Sequence, residues 1–308
     1  MNDSKLARAL QQRRLVCDGA MGTQLMLAGL EAGSCGEMWN LTHPERVVTI
    51  QSRYAVAGAD CIITNTFGGN RLMLARHQHA DDLAEINRAA AKIARQSFGG
   101  QEGYVLGDIG PVGGVLEPYG DLKTDDVRAA LAEQAQALVE GGVDAIILET
   151  QTSLEELGLG IQGAKAAGAP FIIASLAYDR SMDGTFFKTM MGISPEQAAE
   201  FAQEQGADAV ALNCGTGMDM EAAAQIVPLY RSSCGLFTMV QPNAGLPVLE
   251  KMKAVYKQTP EQMVQALPEV LEAGANIIGS CCGSTPEHTR AIRAMVDRFN
   301  AQMKAKLL

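Results

Sequence analysis

The sequence predicts an α/β fold, a single (β/α)8 TIM barrel domain that spans residues 1–308. Three observations lead to this prediction: short apolar runs recur along the chain, helical segments rich in Ala, Leu and Glu separate them, and no flexible linker divides the 308 residues. A chain of this length could hold about two domains, but α/β barrels of roughly 250 residues routinely form one unit. One large barrel is therefore permitted.

Eight apolar runs have the length and the β-branched content of buried parallel strands. They cover residues 14–17, 60–64, 104–107, 145–148, 171–176, 209–212, 236–240 and 276–279. Segments between them, such as 124–140 and 195–205, place apolar residues three and four positions apart, as crossover helices do. Several of these helices end in a glycine that supplies a left-handed cap. Eight such units favour a closed barrel over a doubly wound sheet, which needs fewer units and a switch point.

Charge and hydropathy exclude two classes of partner. The formal net charge is -10, and the sequence contains no cluster of Lys and Arg that could neutralise a nucleic-acid backbone. The first residues carry no apolar signal core, and no later run approaches the roughly 18 apolar residues of a membrane-spanning helix. We therefore expect a cytoplasmic protein that binds neither nucleic acid nor a membrane.

The cysteines indicate metal binding or catalysis. Their number, seven, is odd, two of them are adjacent, and a cytoplasmic protein keeps its thiols reduced. Active sites of (β/α)8 barrels lie at the C-terminal ends of the strands, where Cys214 follows the sixth predicted strand and Cys281 and Cys282 follow the eighth. Barrel closure would bring the three thiolates together. Catalytic zinc takes three protein ligands in a tetrahedral site and keeps one position open, so the trio predicts a catalytic zinc centre.

The alternative is that these cysteines are small buried apolar residues, as free cysteines usually are. We prefer that interpretation for Cys17, Cys61 and Cys234, which lie within or beside apolar runs, and leave Cys35 undecided. For the trio, the shared position at strand ends favours the metal site.

Two acidic residues lie at other strand ends. Asp18 follows the first predicted strand and Glu149 the fourth, and a carboxylate at the mouth of an apolar barrel is unfavourable unless it meets a cation. A substrate ammonium group would satisfy both, whereas the alternative is that each caps a helix or pairs with an arginine. Backbone N–H groups of Gly19, Gly22 and Thr23 could bind a carboxylate. Together these groups predict an amino acid with a thiol as substrate.

One motif is a decoy. Residues 158–163 match the dinucleotide fingerprint GxGxxG, but they lie inside the helix that Ser153 is expected to cap, and no strand leads directly into them. We interpret these glycines as close helix-to-barrel packing.

Seven motifs, taken together, resemble one family over almost the whole chain. They are DGAMGT at 18–23, TNTFGGNR at 64–71, GDIGP at 107–111, LET at 148–150, LNCG at 212–215, QPNAG at 241–245 and GSCCGSTPEH at 279–288. The set resembles the homocysteine S-methyltransferase family. Within that family it looks most like the homocysteine-binding domain of cobalamin-dependent methionine synthase.

The resemblance implies zinc on Cys214, Cys281 and Cys282, with the sulfur of homocysteine as the fourth ligand. It also implies the following substrate-binding residues: Asp18, Gly19, Ala20, Thr23, Glu149 and Asn213. Two departures bear on the acceptor and the docking partner. The common GGCCGT is here GSCCGS, and the loop at 183–192 is bulkier and more apolar than expected.

The expected reaction transfers a methyl group to the thiol of homocysteine, giving methionine. A free thiol has a pKa of about 8.5 and is mostly protonated at neutral pH, and coordination by zinc makes it a thiolate. The chain carries no Asp-x-His-x-x-Gly corrinoid signature, so we expect a separate protein to supply methylcobalamin, docking on Phe186, Phe187, Met190 and Met191. Alternatively, that cluster is a lid over the substrate.

Three other functions stay open. The donor could be a sulfonium, S-methylmethionine or S-adenosylmethionine. The acceptor could be another thiol or tetrahydrofolate in a corrinoid demethylation pathway. If the protein is not an enzyme, it could be a zinc-binding homocysteine sensor or a scaffold subunit of a corrinoid complex.

Overall fold

The structure is a computed structural model that describes residues 2–250 and 253–306. Eight parallel strands form one sheet whose neighbours follow the order of the chain. The strands are β1 (Leu15–Val16), β2 (Cys61–Ile63), β3 (Tyr104–Ile109), β4 (Ala145–Gln151), β5 (Ile172–Leu176), β6 (Ala209–Asn213), β7 (Phe237–Gln241) and β8 (Ile277–Ile278). The first strand pairs with the last, Leu15 opposite Ile277. The predicted (β/α)8 barrel is confirmed, and each predicted strand overlaps an observed one.

An outer helix follows each strand and covers the barrel. These helices are α1 (Pro44–Val56), α2 (Leu83–Gln96), α3 (Thr124–Glu140), α4 (Leu154–Ala166), α5 (Pro195–Glu204), α6 (Met220–Ser233), α7 (Leu267–Glu272) and α8 (Pro286–Lys306). Shorter helices are Lys5–Gln12, Met21–Leu27, Trp39–Thr42, Arg71–Ala75 and Pro260–Met263, with 3-10 turns at Ala80–Asp82 and Val264–Ala266. Two antiparallel hairpins, Asp179–Arg180 with Phe187–Lys188 and Val248–Glu250 with Lys253–Val255, extend the loops after β5 and β7.

Local sequence explains where several of these helices begin and end. The side chain of Ser153 accepts a hydrogen bond from the N–H of Glu156, and Ser194 forms a capping box with Gln197. Gly58 and Gly274 end helices with φ of 103° and 108°, a conformation that favours glycine. No helix among the described residues has the length and apolar character needed to cross a membrane.

Side-chain hydrogen bonds contribute to the seam between β1 and β2, where the barrel closes. Only one bridge pair, Cys17 with Cys61, joins these strands. Below it the carboxylate of Asp60 accepts a hydrogen bond from the N–H of Val16 at 2.8 Å. Above it the carboxyl group of Asp18 accepts one from the N–H of Ile63 at 2.9 Å. Two carboxyl groups therefore supply the hydrogen bonds that a longer ladder would have made.

Alternation along the strands divides the side chains between two apolar layers. The outward layer packs against the helices, and the inward layer fills the barrel with Leu15, Cys17, Cys61, Ile63, Leu106, Ala145, Ile147, Phe171, Ile173, Ala209, Ala211, Met239 and Ile277. Leu6 and Leu10 of the N-terminal helix join the inward cluster, so that helix closes the N-terminal end of the barrel. The burial of Cys17 and Cys61 agrees with their predicted role as apolar core residues.

At the other end of the barrel the inward positions become polar. Continuing the alternation, the next inward residues are Asp108, Glu149, Ser175, Asn213 and Gln241, which lie at or near the C-terminal ends of strands β3 to β7. The inward apolar cluster and the N-terminal helix thus form an apolar plug, and the polar residues at the C-terminal end of the barrel form its mouth.

The glycines of the decoy motif pack as expected. They lie in α4, where a Cβ atom on Gly160 would come within 2.7 Å of Leu148 and one on Gly163 within 3.0 Å of Ala132. A larger side chain would push the helix away from β4 and α3.

We predict that Leu10→Ala destabilises the barrel because it empties part of the plug. Leu10 is 1% exposed, and truncation of a buried leucine typically lowers the free energy of unfolding by about 2–5 kcal/mol. Urea denaturation measures the change. Gln11→Ala, on the exposed side of the same helix, is the control and is expected to stay within about 0.5 kcal/mol of the wild type. Equal stability of the two variants would contradict the plug.

Candidate active site

Three cysteine thiols meet at the mouth of the barrel. Cys214 directly follows β6, and Cys281 and Cys282 lie shortly after β8. The three Sγ atoms lie within 4.8 Å of one another; Cys214 and Cys282 are 3.8 Å apart, and Cys281 and Cys282 are 3.9 Å apart. Within the described part of the chain, no other group of three metal-ligating side chains converges in this way.

The loop after β7 holds the two cysteine segments together. Asn243 donates from Nδ2 to the carbonyl of Gly215 at 2.9 Å and accepts at Oδ1 from the N–H of Cys282 at 3.2 Å. The N–H of Cys281 donates to the carbonyl of Pro242 at 2.8 Å. Sequence reasoning did not assign this role to Asn243, although its position at the end of the strand between β6 and β8 was the signal that could have done so.

Tyr256 covers one side of the cysteine cluster. Its ring lies against Gly283, where an added Cβ atom would come within 2.1 Å of it, and Gly283 has φ of 79°. The interaction with Tyr256 opposes the rise in the pKa of the Cys282 thiol. Tyr256 was not predicted, because it comes from the loop after β7, far from Cys282 in sequence.

The cluster favours one shared negative charge. Hydrogen bonds from Cys281 and Cys282 lower the pKa of Cys214 to about 3. Hydrogen bonds with Cys214 and Cys282 raise the pKa of Cys281, and the bond with Cys214 raises the pKa of Cys282 to about 11. Three thiols at these distances are therefore arranged to stabilise one thiolate, which is the ligand form of cysteine.

Asp18 is a buried carboxyl group at the end of the β1–β2 seam. Besides its bond from Ile63, it accepts a hydrogen bond at Oδ1 from the thiol of Cys17 at 3.4 Å. Burial raises its pKa from 3.8 to about 8. Among the described residues Asp18 neither caps a helix nor forms an ion pair with an arginine.

Glu149 shares a hydrogen bond with Asp108, a residue that the predicted site did not include. Burial, together with the charge on Cys214, raises the pKa of Glu149 to about 7, although the bond with Asp108 opposes the shift. Burial and the charge of Glu149 raise the pKa of Asp108. Asp108 is 3% exposed, and its Oδ1 has no hydrogen-bond partner. The two carboxyl groups thus hold a proton near neutral pH.

The turn after β1 presents backbone groups to the mouth. The helix Met21–Leu27 begins without a side-chain cap, and Thr23, in its first turn, is half-buried. The N–H of Ala20 already donates to the hydroxyl group of Ser284 at 3.1 Å. At Gly19 an added Cβ atom would come within 2.6 Å of that hydroxyl group, so only glycine fits there without displacing Ser284.

The side chain of Asn213 is engaged by its neighbours. Its Oδ1 accepts hydrogen bonds from the N–H of Thr150 at 2.9 Å and from the hydroxyl group of Ser175 at 2.6 Å. Its Nδ2 donates to the hydroxyl group of Thr150 at 2.7 Å. Thr150 and Cys214 have φ of 57° and 54°, and residues in this left-handed region are strained by about 1–3 kcal/mol each.

The loop after β5 corrects one part of the predicted docking surface. Phe186, Met190 and Met191 are exposed, but Phe187 is buried, at 6% exposure. Phe187 lies in the hairpin, where successive side chains point to opposite faces, so its ring turns inward beneath the guanidinium group of Arg180. Phe187 belongs to the core of the loop and not to its surface.

Comparison with known proteins places the chain in a family. A sequence model described as homocysteine S-methyltransferase matches residues 15–296. The chain belongs to this family. The resemblance seen in the seven motifs is thereby confirmed, and the model covers all three cysteines and both predicted carboxyl groups.

Relatives in the homocysteine S-methyltransferase family include two methionine synthases. The protein from Mycobacterium leprae (strain TN) is 35% identical over 315 residues, which cover 97% of this chain and 26% of the relative. The protein from Mycobacterium tuberculosis (strain ATCC 25618 / H37Rv) is 34% identical over 308 residues, covering 96% of this chain and 25% of the relative. The chain spans about a quarter of the length of these methionine synthases.

A solved structure has the same fold. The homocysteine methyltransferase MmuM from Escherichia coli, in its metallated form, superposes with a TM-score of 0.77 at 20% sequence identity, covering 94% of this chain and 100% of MmuM.

We predict that Asp18→Asn makes the stability of the metal-free protein less dependent on pH. The folded pKa, about 8, lies above the ordinary 3.8, so the folded state binds the proton more tightly. The free energy of unfolding should therefore fall as pH rises from about 4 to about 8. Asparagine can still accept the hydrogen bond from Ile63 but cannot ionise. At about 1.36 kcal/mol per pKa unit, the upper limit of the contribution is about 6 kcal/mol.

Urea midpoints measured across this pH range test the prediction. Asp183→Asn is the matched control, because Asp183 is exposed and hydrogen bonds lower its pKa to about 2, so it stays ionised throughout. Identical pH slopes for the wild type and Asp18→Asn would contradict the assignment.

Proposed function

We propose that this member of the homocysteine S-methyltransferase family binds zinc and transfers a methyl group from a methyl-corrinoid protein to the thiol of homocysteine, giving methionine. The observation that most strongly supports this proposal is the convergence of three thiols at the open end of the barrel, above a set of buried carboxyl groups. Family membership supports the acceptor, the methionine synthase relatives support the product, and the resemblance of the motifs to cobalamin-dependent methionine synthase supports the corrinoid donor.

The distances within the cysteine cluster fit a tetrahedral zinc site. Two sulfur atoms bonded to zinc at about 2.3 Å with tetrahedral angles lie about 3.8 Å apart, and two pairs of the cluster lie 3.8 and 3.9 Å apart. We propose Cys214, Cys281 and Cys282 as the protein ligands. When bound, zinc would lower the pKa of a substrate thiol at the fourth position, so that the thiol reacts as a thiolate.

The remaining groups of the mouth match the two ends of an amino acid. An ammonium group placed between Asp18 and Glu149 would favour the charged forms of both carboxyl groups, whose pKa values burial raises to about 8 and about 7. The turn formed by Gly19 to Thr23 offers backbone N–H groups to the substrate carboxylate. The three sets of groups bind the sulfur, the amino group and the carboxylate of one molecule.

Exposed apolar side chains surround the mouth and offer a docking surface for the methyl donor. They come from loops at the C-terminal ends of the strands and include Phe67 (41% exposed), Tyr119 (87%), Met182 (108%), Phe186 (53%), Met190 (81%), Met191 (50%) and Leu246 (59%). Large exposed apolar patches commonly mark interaction sites. The loops after β5 and β7 flank β6, which leads into Cys214, so a partner seated there would reach the thiol.

A comparison of methyl donors tests the proposal. We expect zinc-loaded protein to form methionine from homocysteine and methylcobalamin, and not from S-methylmethionine or S-adenosylmethionine. Cys214→Ala should abolish the activity, whereas Cys234→Ala, at a half-buried cysteine outside the cluster, should retain it. Mass spectrometry of the product measures the transfer.

Turnover only with a sulfonium donor would contradict the corrinoid. Methylation of tetrahydrofolate or of another thiol, with homocysteine unchanged, would contradict the acceptor. Binding of zinc and homocysteine without turnover from any donor would contradict catalysis and favour a sensor or scaffold.

A further inference from the structure

Two strained residues stand beside the two functional ends of the site. Thr150 follows Glu149 and has φ of 57°, and Cys214 follows Asn213 and has φ of 54°. Left-handed backbone is rare for residues other than glycine, and for a β-branched residue such as threonine it is a genuine outlier. Such conformations persist only where surrounding contacts fix them, and they concentrate at functional sites.

The side chain of Asn213 supplies these contacts. It is fully buried, at 0% exposure, and both polar atoms of its amide group bind Thr150: Oδ1 accepts from the N–H at 2.9 Å, and Nδ2 donates to the hydroxyl group at 2.7 Å. Its Oδ1 also accepts the hydroxyl hydrogen of Ser175, on the strand between β4 and β6, at 2.6 Å. The side chain of Asn213 therefore ties the end of β4, which carries Glu149, to the end of β6, which leads into Cys214.

We propose that Asn213 is a positioning residue that fixes the separation between Glu149 and Cys214, and that this separation selects amino-acid thiols by the number of methylene groups between sulfur and the amino-bearing carbon. The proposal rests on the function proposed above. It assigns Asn213 an action through Thr150, without contact with the substrate.

The selection follows from holding both ends of a short substrate. Homocysteine has one more methylene group than cysteine, and only one chain length spans a fixed distance between a thiol-binding and an amino-binding group. If Glu149 and Cys214 could move relative to each other, the site would also accommodate the shorter thiol, cysteine. A single methylene group typically gives discrimination of about 10–200-fold, so a rigid site should favour homocysteine over cysteine within that range.

Four variants separate rigidity from folding. Asn213→Ala removes the three hydrogen bonds. Thr150→Gly keeps the backbone bond but removes the hydroxyl group and relieves the left-handed strain, so it loosens the turn without a folding penalty from φ. Thr150→Ser keeps the hydroxyl group and serves as the conservative variant. Asn276→Ala is the matched control, because Asn276 is a buried asparagine at the opposite end of the barrel that accepts the N–H of Thr238 at 3.0 Å.

The measurement is the ratio of dissociation constants for cysteine and homocysteine, determined by calorimetry on zinc-loaded protein, with zinc content and urea midpoint recorded for each variant. We expect the wild type, Thr150→Ser and Asn276→Ala to favour homocysteine by about 10–200-fold. In Asn213→Ala and Thr150→Gly the ratio should fall towards unity while zinc content is unchanged. Thr150→Gly decides the matter if Asn213→Ala does not fold.

The outcomes distinguish the two proposals. If the wild type binds neither thiol, the proposed function fails and this inference fails with it. If the wild type selects homocysteine and both Asn213→Ala and Thr150→Gly keep the wild-type ratio, the function stands and the positioning role is overturned. If the ratio of dissociation constants falls as much in Asn276→Ala as in Asn213→Ala, the loss of selectivity reflects a general loosening of the barrel. That result would also overturn the positioning role of Asn213.

Discussion

Closure of the barrel is the constraint on which the site depends. Cys214 and the pair Cys281–Cys282 are separated by a long stretch of sequence, and they meet only because β6, β7 and β8 are neighbours in a closed sheet. Among the described strands of the barrel the seam has the fewest pairings, since one bridge pair joins β1 to β2 and the carboxyl groups of Asp60 and Asp18 complete it. Asp18 therefore links the integrity of the barrel to the chemistry of its mouth.

Several features that are unfavourable for stability but useful for binding lie together at the mouth of the barrel. Buried carboxyl groups with raised pKa values, a cluster of thiols that shares one charge, and two left-handed residues lie within a few strand ends of one another. An apolar barrel interior and a plugging helix lie below them and offset this strain. Local strain and shifted pKa values that coincide in this way are characteristic of functional sites.

Much of the fold and the convergence of the three cysteines could be predicted from the sequence, because both follow from the spacing of apolar runs. The positions of the eight strands determine which residues lie at the C-terminal rim of the barrel. This placement alone brings Cys214, Cys281 and Cys282 together. The hydrogen-bond partners of Asp108 and Asn213 could not be predicted, because they depend on contacts between strands whose relative height the sequence does not specify. For Asn243, its place at a strand end was the one available signal. Phe187 was misassigned for a different reason: the sequence does not reveal which face of a hairpin an apolar loop residue takes.

Zinc content is the most direct test of the central claim. Metal analysis of the wild type, of Cys214→Ala, Cys281→Ala and Cys282→Ala, and of Cys234→Ala as a control would show which thiols hold the ion. The account predicts one zinc ion per chain in the wild type and the control, with loss of most of the metal in each of the three variants. Full retention of zinc in all three variants would contradict it.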